Sequence, residues 1–418
     1  MSSIPHYDVI VIGGGPSGMM AAGKAALRGR RVLLIEKNKD LGKKLSITGG
    51  GRCNILNAEE DERELLSHYG EASKFLHSPF SQHGMKDSWR FFEELGLPIV
   101  VEARKRAFPE SQKAADVTAA LRKYVTTNNV ELKRSTRASG FIMKDGQISG
   151  VKTNNGTYSA DSYVLATGGL SHQETGSTGE GLEWLKQLGY RIHEPNPNIV
   201  PLTVDDEWVK KLSGTSLSFM KITFGSSLSK KDGKFSRTGK ILFTHFGLSG
   251  PLILNSAHSV KKLLDKHGTV EAKIDMYPDT ETGVLQQRVL SAFERNKNKL
   301  VKNVLNEIAP EGMDKGLIEI LPTEFLEEKV HSVNKAERQT LVDLLKAMPV
   351  TVDGTMGMDW AVISDGGIDL TQVDTKTMRS KLHPNLFFTG DVLNINRPSG
   401  GYSLQLCWTT GTVVGMNA

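Results

Sequence analysis

Cysteine is nearly absent: Cys53 and Cys407 are the only two in 418 residues, and they lie far apart. That argues against a disulfide framework and fits a reducing, cytoplasmic setting. Without a C-x-x-C pair, a dithiol relay is excluded. H-E-x-x-H and acidic calcium-loop patterns are missing too, so no metal is expected. No apolar run approaches the length needed to cross a bilayer, and no membrane role is expected. The opening residues Met1–His6 carry no basic-then-apolar leader signal. No internal repeat or low-complexity tract is evident.

What remains is ordinary in bulk and informative in detail. A chain of this length is too long for one typical compact core, so two or three domains are expected. Hydrophobic residues make up 38% and charged residues 24%, the balance of a soluble protein. Glycine is abundant at 42 residues, as a fold built on tight turns requires. The net charge of +5 is modest but clustered. Arg28/Arg30/Arg31, Lys43/Lys44, Arg104/Lys105/Arg106, Lys133/Arg134/Arg137, Lys230/Lys231/Lys234 and Arg295/Lys297/Lys299/Lys302 recur at short spacing. Such clusters fit either a surface that meets RNA phosphates or solvated helix faces.

The strongest signal is a strand–turn–helix–strand unit at the start. Tyr7–Ile12 reads as an apolar strand, Gly13-Gly14-Gly15-Pro16-Ser17-Gly18 as the turn, and Arg31–Glu36 as the returning strand. In G-x-G-x-x-G, Gly13 permits the turn, Gly15 admits a pyrophosphate to the backbone, and Gly18 lets helix and strand pack closely. Glu36, eighteen residues after Gly18, stands where a carboxylate accepts ribose hydroxyls. The pattern points to a bound dinucleotide.

The far end of the chain selects which one. Asn385–Asp391 reads as a strand entering a Gly390-Asp391 turn, and Arg397–Tyr402 leads into a helical run from Leu404 to Val414. A carboxylate after a strand suits the ribityl chain of a flavin, and a Gly-Gly-Tyr helix start can present backbone N–H groups to its ring. With Tyr163–Gly169, another strand ending in small residues at Thr167 and Gly168, these segments resemble the two-dinucleotide-binding-domain flavoproteins. The expected cofactor is FAD. No second strand–G-x-G-x-x-G–helix unit exists; Gly176–Gly181 is glycine-rich but follows a polar segment. A dedicated NAD(P)H domain is therefore not expected, and NAD(P)H would act as a transient reductant over the flavin.

Periodicity predicts an α/β fold whose Rossmann-like FAD-binding domain is discontinuous, with an inserted β-rich, barrel-like domain and a small helical domain. The expected boundaries are 1–194 and 351–418 for the FAD domain, 195–278 and 346–350 for the β domain, and 279–345 for the helical one. Helices are expected over Lys86–Leu95, Ala114–Thr126, Val284–Glu294, Leu300–Ile308 and Lys335–Leu345, and a β-meander from about 130 to 160. Glu194-Pro195-Asn196-Pro197 reads as a hinge, because two prolines break regular elements.

The run Thr48-Gly49-Gly50-Gly51-Arg52-Cys53-Asn54, with Lys44 before it and Asn57 after it, resembles the hallmark loop of the BaiN/YhiN-like flavoprotein family. Phe243–Pro251, Thr377–Lys381 and Gly400–Gln405 match in order, and the resemblance runs over essentially the whole length. Two positions depart from it. Asp391 stands where many members carry Glu, which shortens the carboxylate's reach, and Ser403 stands where Asn is usual. The resemblance implies FAD at the Rossmann turn with the Arg-Cys-Asn loop and the Gly-Gly-Tyr segment near the flavin. The expected cofactor-binding set adds Lys37, Lys44, Thr48, Gly51, Arg52, Cys53, Asn54, Ala138, Gly401, Tyr402 and Leu404 to the turn residues, Pro16 and Ser17 among them. The family implies an NAD(P)/FAD-dependent oxidoreductase, with activities in bile-acid dehydroxylation and in reducing uridine to dihydrouridine in ribosomal RNA.

Three residues are candidates for catalysis. Arg52 suits negative charge on a reduced flavin or a phosphate, and equally an FAD pyrophosphate clamp. Cys53 is either the acid that protonates a carbon after hydride addition or a small residue packed beneath the cofactor, the second being favoured. His245 is either a proton donor or a tie between domains. The favoured substrate is ribosomal RNA uridine. A steroid- or enone-like small molecule is the enzymatic alternative, and a non-catalytic flavin-containing RNA-binding protein the other.

Overall fold

The computed structural model describes residues 4–225 and 233–418; Lys230 and Lys231 of the fifth basic cluster lie outside the described residues. The chain divides into two compact units, Met1–Pro197 with Val362–Ala418, and Asn198–Ala361.

The first unit is organised by a parallel sheet. Strand His6–Ile12 pairs with Val32–Ile35 on one side and Gly156–Leu165 on the other, while Glu131–Lys133 extends the first side. Leu386–Phe388, from the far end of the chain, pairs in parallel with the second half of Gly156–Leu165. The first half of that strand instead carries the antiparallel hairpins Ala138–Lys144 and Gln147–Thr153. The expected meander is thus present from 138, whereas 131–133 belongs to the parallel sheet. Ile10, Val11, Leu33, Leu34, Val164 and Leu165 have no exposure, as in a parallel sheet covered on both faces.

The last helix, Tyr402–Asn417, is buried almost all round and lies against Pro16–Leu27. Its glycines make that approach possible. A Cβ on Gly411 would stand 2.6 Å from the Ser17 carbonyl oxygen, and one on Gly415 2.5 Å from that of Ala21.

Two expectations need correction. The Glu194–Pro197 stretch ends at the unit boundary, Pro197/Asn198, but does not break regular structure: Ile192–Asn198 is a strand paired with Ile363–Ile368 in a two-stranded sheet. Proline is tolerated there because an edge strand need not donate every N–H. The expected helix over Leu300–Ile308 is a 3₁₀ turn, Val301–Asn303, followed by the short helix Leu305–Ile308.

The second unit is a closed six-stranded barrel of Leu202–Val204, Gly247–Ser249, Phe235–Thr244, Ser216–Gly225, Val270–Asp275 and Met348–Thr355. Alternate residues point inward, as in Ile222/Phe224, Ile241/Phe243, Val270/Ala272/Ile274 and Val350/Val352, all buried. Helices Thr282–Arg295 and Lys335–Lys346 share one hydrophobic core with the barrel. Position 351, the expected return to the FAD domain, lies inside the closing barrel strand, and the first unit resumes at Val362. Among the described residues, no helix is long and apolar enough to cross a membrane.

Candidate functional site

A groove opens at the carboxyl ends of the parallel strands of the first unit, lined by the Gly13–Ser17 turn. Ligands of open α/β sheets bind at that edge. The three motif glycines do three different things. Gly13 has φ +111°, and a Cβ on it would lie 2.3 Å from the Ala166 carbonyl oxygen. Gly18 is packed still closer, its would-be Cβ 1.9 Å from the Gly13 carbonyl oxygen. Gly15 has φ −76° and a would-be Cβ with nothing within 4 Å, although it lines the groove. Of the three, only Gly15 could carry a Cβ without meeting another atom of the chain.

Helix Pro16–Leu27 starts here with Pro16 in its first turn and no side-chain cap. Its leading N–H groups and its positive dipole end are left for an anion. Glu36, 8% exposed, accepts the Gly14 N–H at 2.7 Å on one oxygen. Its other oxygen accepts the Asn38 N–H at 2.7 Å and the Asn38 amide at 2.8 Å. The carboxylate is thereby fixed against the turn.

Across the groove, Lys37 donates to Thr178 Oγ1 and Glu180 Oε2, both at 2.9 Å, while Arg137 pairs with the other oxygen of Glu180. Burial alone would raise the Glu180 pKa, but Lys37 and Arg137 hold it below the ordinary carboxylate range. Glu180 opens helix Glu180–Gln187, where a carboxylate also suits the helix dipole. Thr167 Oγ1, buried and facing no protein partner, lines the same groove. An anion-ready helix end, an open cradle at Gly15 and an unbonded buried hydroxyl fit a dinucleotide.

Lys44, Asp391 and Cys407 line the groove near one another. Lys44 donates to Ser171 Oγ at 3.2 Å; desolvation lowers its pKa, opposed by the Asp391 carboxylate. Asp391 pairs with Arg397, which is 3% exposed and also donates to the Ser403 hydroxyl at 3.0 Å and the Ile395 carbonyl at 2.6 Å. Ser403 therefore takes a guanidinium N–H. Burial pushes the Cys407 thiol up to about 12.

The remaining expected residues gather around a second set of contacts. Gly49, Gly50 and Gly51 all have positive φ, and so does Cys53 at +60°. Cys53 has no exposure, burial pushes its thiol up to about 12, and its N–H donates to the Thr48 carbonyl. Arg52 donates to Gln112 at 2.7 Å, pairs with Glu102, and lies 4.2 Å from the centre of the Phe108 ring.

Assigned from its hydrogen-bond network, the Asn54 amide accepts the Gly401 N–H at 2.9 Å and donates to the Leu56 and Ala107 carbonyls. Gly401, at φ +100°, has no room for a Cβ, which would lie 2.2 Å from the Leu56 carbonyl carbon. Tyr402 packs against His68 at 4.7 Å between ring centres, and its carbonyl accepts the Tyr69 hydroxyl. Leu404 is buried in the helix that follows. Gly390 abuts Ser17, whose Oγ would be 2.6 Å from a Cβ there.

The groove thus brings together Gly13, Gly15, Pro16, Ser17, Glu36, Lys37, Lys44, Ala138, Thr167, Gly168 and Asp391. Thr48, Gly51, Arg52, Cys53, Asn54, Gly390, Gly401, Tyr402 and Leu404 do not line it. His245 belongs to the second unit, exposed in the turn before Gly247, with Phe246 at 5.0 Å and Trp360 a further 5.1 Å on. Sequence reasoning missed Asn38, Arg137, Cys407 and the Thr175–Glu180 segment. The signal for the last was Gly176-x-x-Gly179, set aside because no strand precedes it. Among the described residues no group of three His, Cys, Asp or Glu could hold a metal ion.

Comparison with known proteins places this architecture. A 3-dehydro-bile acid delta(4,6)-reductase of Clostridium scindens is 26% identical over 98% of both chains. A ribosomal RNA dihydrouridine synthase of Escherichia coli is 27% identical over 97% of this chain and 96% of that one. A 3-ketosteroid delta1-dehydrogenase structure from Sterolibacterium denitrificans superposes with a TM-score of 0.53 at 12% identity, covering 98% of each chain, a likeness of fold. The family model described as the HI0933-like protein Rossmann domain matches residues 7–417. That match takes in both arms of the first unit and all of the second, so the chain belongs to this family of FAD-dependent oxidoreductases.

Proposed function

We propose that the enzyme is NAD(P)H-linked and reduces a carbon–carbon double bond conjugated to a carbonyl, with uridine in ribosomal RNA as substrate. The observation that carries this reading is the pair of full-length relatives, one named for a delta(4,6) reduction of a 3-dehydro-bile acid and one for dihydrouridine in ribosomal RNA. An alkene beside a 3-oxo group and the uracil C5=C6 bond beside C4=O present the same electrophile. Each takes a hydride at the far carbon and a proton at the near one.

Bound FAD supplies the hydride, and the chain's residues bind, orient and manage charge. In this reading the Gly13–Gly18 turn holds the pyrophosphate, Glu36 the ribose hydroxyls, and Asp391 the ribityl chain. Lys44 would supply a cation in the groove to offset negative charge on the bound cofactor. His245, exposed beside Phe246, is the proposed proton donor.

Cys53 has a packing role instead, because a thiol with no exposure cannot hand a proton to a substrate carbon. Cys53→Ala is accordingly expected to keep turnover within about twofold while losing about 1 kcal/mol of stability to the small cavity. Steady-state rates and urea unfolding check this, and a large loss of turnover with full flavin content would restore the thiol as the acid.

Stopped-flow mixing with NADPH is expected to bleach the flavin at a rate that supports turnover. A dihydrouridine map of ribosomal RNA from a deletion strain is expected to lose at least one site. An unchanged map removes the RNA substrate, and turnover on a conjugated steroid ketone would select the small-molecule alternative.

A further inference from the structure

Two of the basic clusters carry carboxylates of their own. Arg137 is committed to Glu180, Lys133 to Glu131, Arg295 and Lys299 to Glu307, and Lys302 to Glu327. These are solvated faces with their own counter-charges. The hairpin of Ile99–Glu102 and Arg106–Pro109 has a similar ratio of cations to carboxylates and is set apart by its backbone. Around its tip stand Arg52, Arg104, Lys105 and Arg106, with Glu59 and Glu102 to answer them. Glu102 is shared between Arg52 and Arg106, Glu59 is taken by Lys105, and exposed Arg104 has no ion pair among the described residues.

The backbone at the tip is unusual. Arg104 at φ +62° and Lys105 at φ +55° are consecutive non-glycine residues in the left-handed region. Each such residue costs on the order of 1 kcal/mol, and strain of this kind gathers where side chains must be presented in a set direction. The tip is also braced. One Asn57 amide donates to the Arg104 carbonyl at 3.2 Å and to the Gly400 carbonyl at 3.0 Å. It thereby ties the hairpin to the segment leading into Gly401 and Tyr402. Gly50 and Gly51, exposed beside Arg52, would meet nothing within 4 Å if they carried a Cβ.

We propose that the Ala103–Arg106 hairpin tip is a docking site for the phosphodiester backbone of an RNA substrate, with Arg104 and Lys105 as its phosphate contacts. The proposal rests on the RNA reading above. A single small carboxylate needs one cation; several cations of one sign, held on a rigid tip with two counter-charges, match a chain of phosphates. The hairpin positions substrate and takes no part in the chemistry.

The test uses the full-length holoenzyme and an unmodified ribosomal RNA fragment containing a uridine that the deletion map identifies as its target. Replacing both residues by glycine (Arg104→Gly with Lys105→Gly) removes the charges while suiting the left-handed backbone, so misfolding does not enter. Binding should weaken about tenfold, and the slope of log affinity against log salt should fall by about 1.5. KM for RNA should rise with kcat held, and flavin content and NADPH oxidation with ferricyanide should stay unchanged. The charge-conserving pair Arg104→Lys with Lys105→Arg should restore binding and slope. A glycine variant with wild-type slope and KM overturns the proposal while leaving the RNA reading intact. A wild-type enzyme that neither binds nor reduces the RNA overturns both.

Discussion

Replacing Gly15 with valine is expected to give a folded protein that no longer retains its flavin. Gly15 sits at φ −76° and ψ −177°, extended backbone that any residue adopts, and its would-be Cβ meets no atom of the chain within 4 Å. Nothing in the protein resists the substitution. Losing a glycine's freedom in the unfolded chain should even stabilise the apoprotein by about 0.5 kcal/mol. The branched side chain would instead occupy the groove where the backbone must approach the cofactor's phosphates.

Gly18→Ala supplies the contrast. Its Cβ would be driven to 1.9 Å from the Gly13 carbonyl oxygen, backbone that cannot swing aside, so a loss of about 3 kcal/mol or more is expected. Flavin absorbance after gel filtration and urea unfolding of the apoproteins separate the two. If Gly15→Val unfolds, or keeps a full complement of flavin, the assignment of that glycine to the cofactor is wrong.

The contrast also shows what a sequence can carry. The roles of Gly13, Gly15 and Gly18 were legible because each follows from backbone sterics over a span of six residues, with a strand before and a helix after. The discontinuous first unit was legible because Leu386–Phe388 is an apolar run too short to stand alone. The alternating strands of the barrel could be read singly, but not their closure, since pairing of Leu202–Val204 with Met348–Thr355 is set by a register more than a hundred residues apart.

Within the site, local grammar misled twice. Gly176–Gly181 has no strand before it to mark it as a dinucleotide turn, yet it reaches the groove through Lys37, Asn38 and Glu180, each bonded across long sequence separation. Cys53 drew attention by its motif, while Cys407, inside an apolar helix, is the cysteine that lines the groove. A side chain's exposure is a property of the packing around it, and no spacing rule encodes that.

Arg397 shows the same thing with the largest energy at stake. In sequence it is a lone arginine before Pro398; in the fold it is nearly sealed, and its three donor positions go to Asp391, the Ser403 hydroxyl and the Ile395 carbonyl. Removing it strands the Asp391 carboxylate, whose side chain is only 17% exposed, together with two acceptors. Arg397→Ala is therefore expected to cost about 3–5 kcal/mol, the usual result of orphaning one partner of a buried pair. Arg397→Lys should recover little, since an ammonium cannot span three acceptors arranged for a planar fork. Pairing Arg397→Met with Asp391→Asn should recover part of the stability, because neither the guanidinium nor the carboxylate is then left without the other, although Lys44 loses its counter-charge. The flavin should not return with it, if Asp391 is the group that holds the ribityl chain. Urea unfolding and flavin content of the three variants decide this. Should the double variant bind flavin as well as the wild type, the pair is a structural brace and Asp391 has no hold on the cofactor.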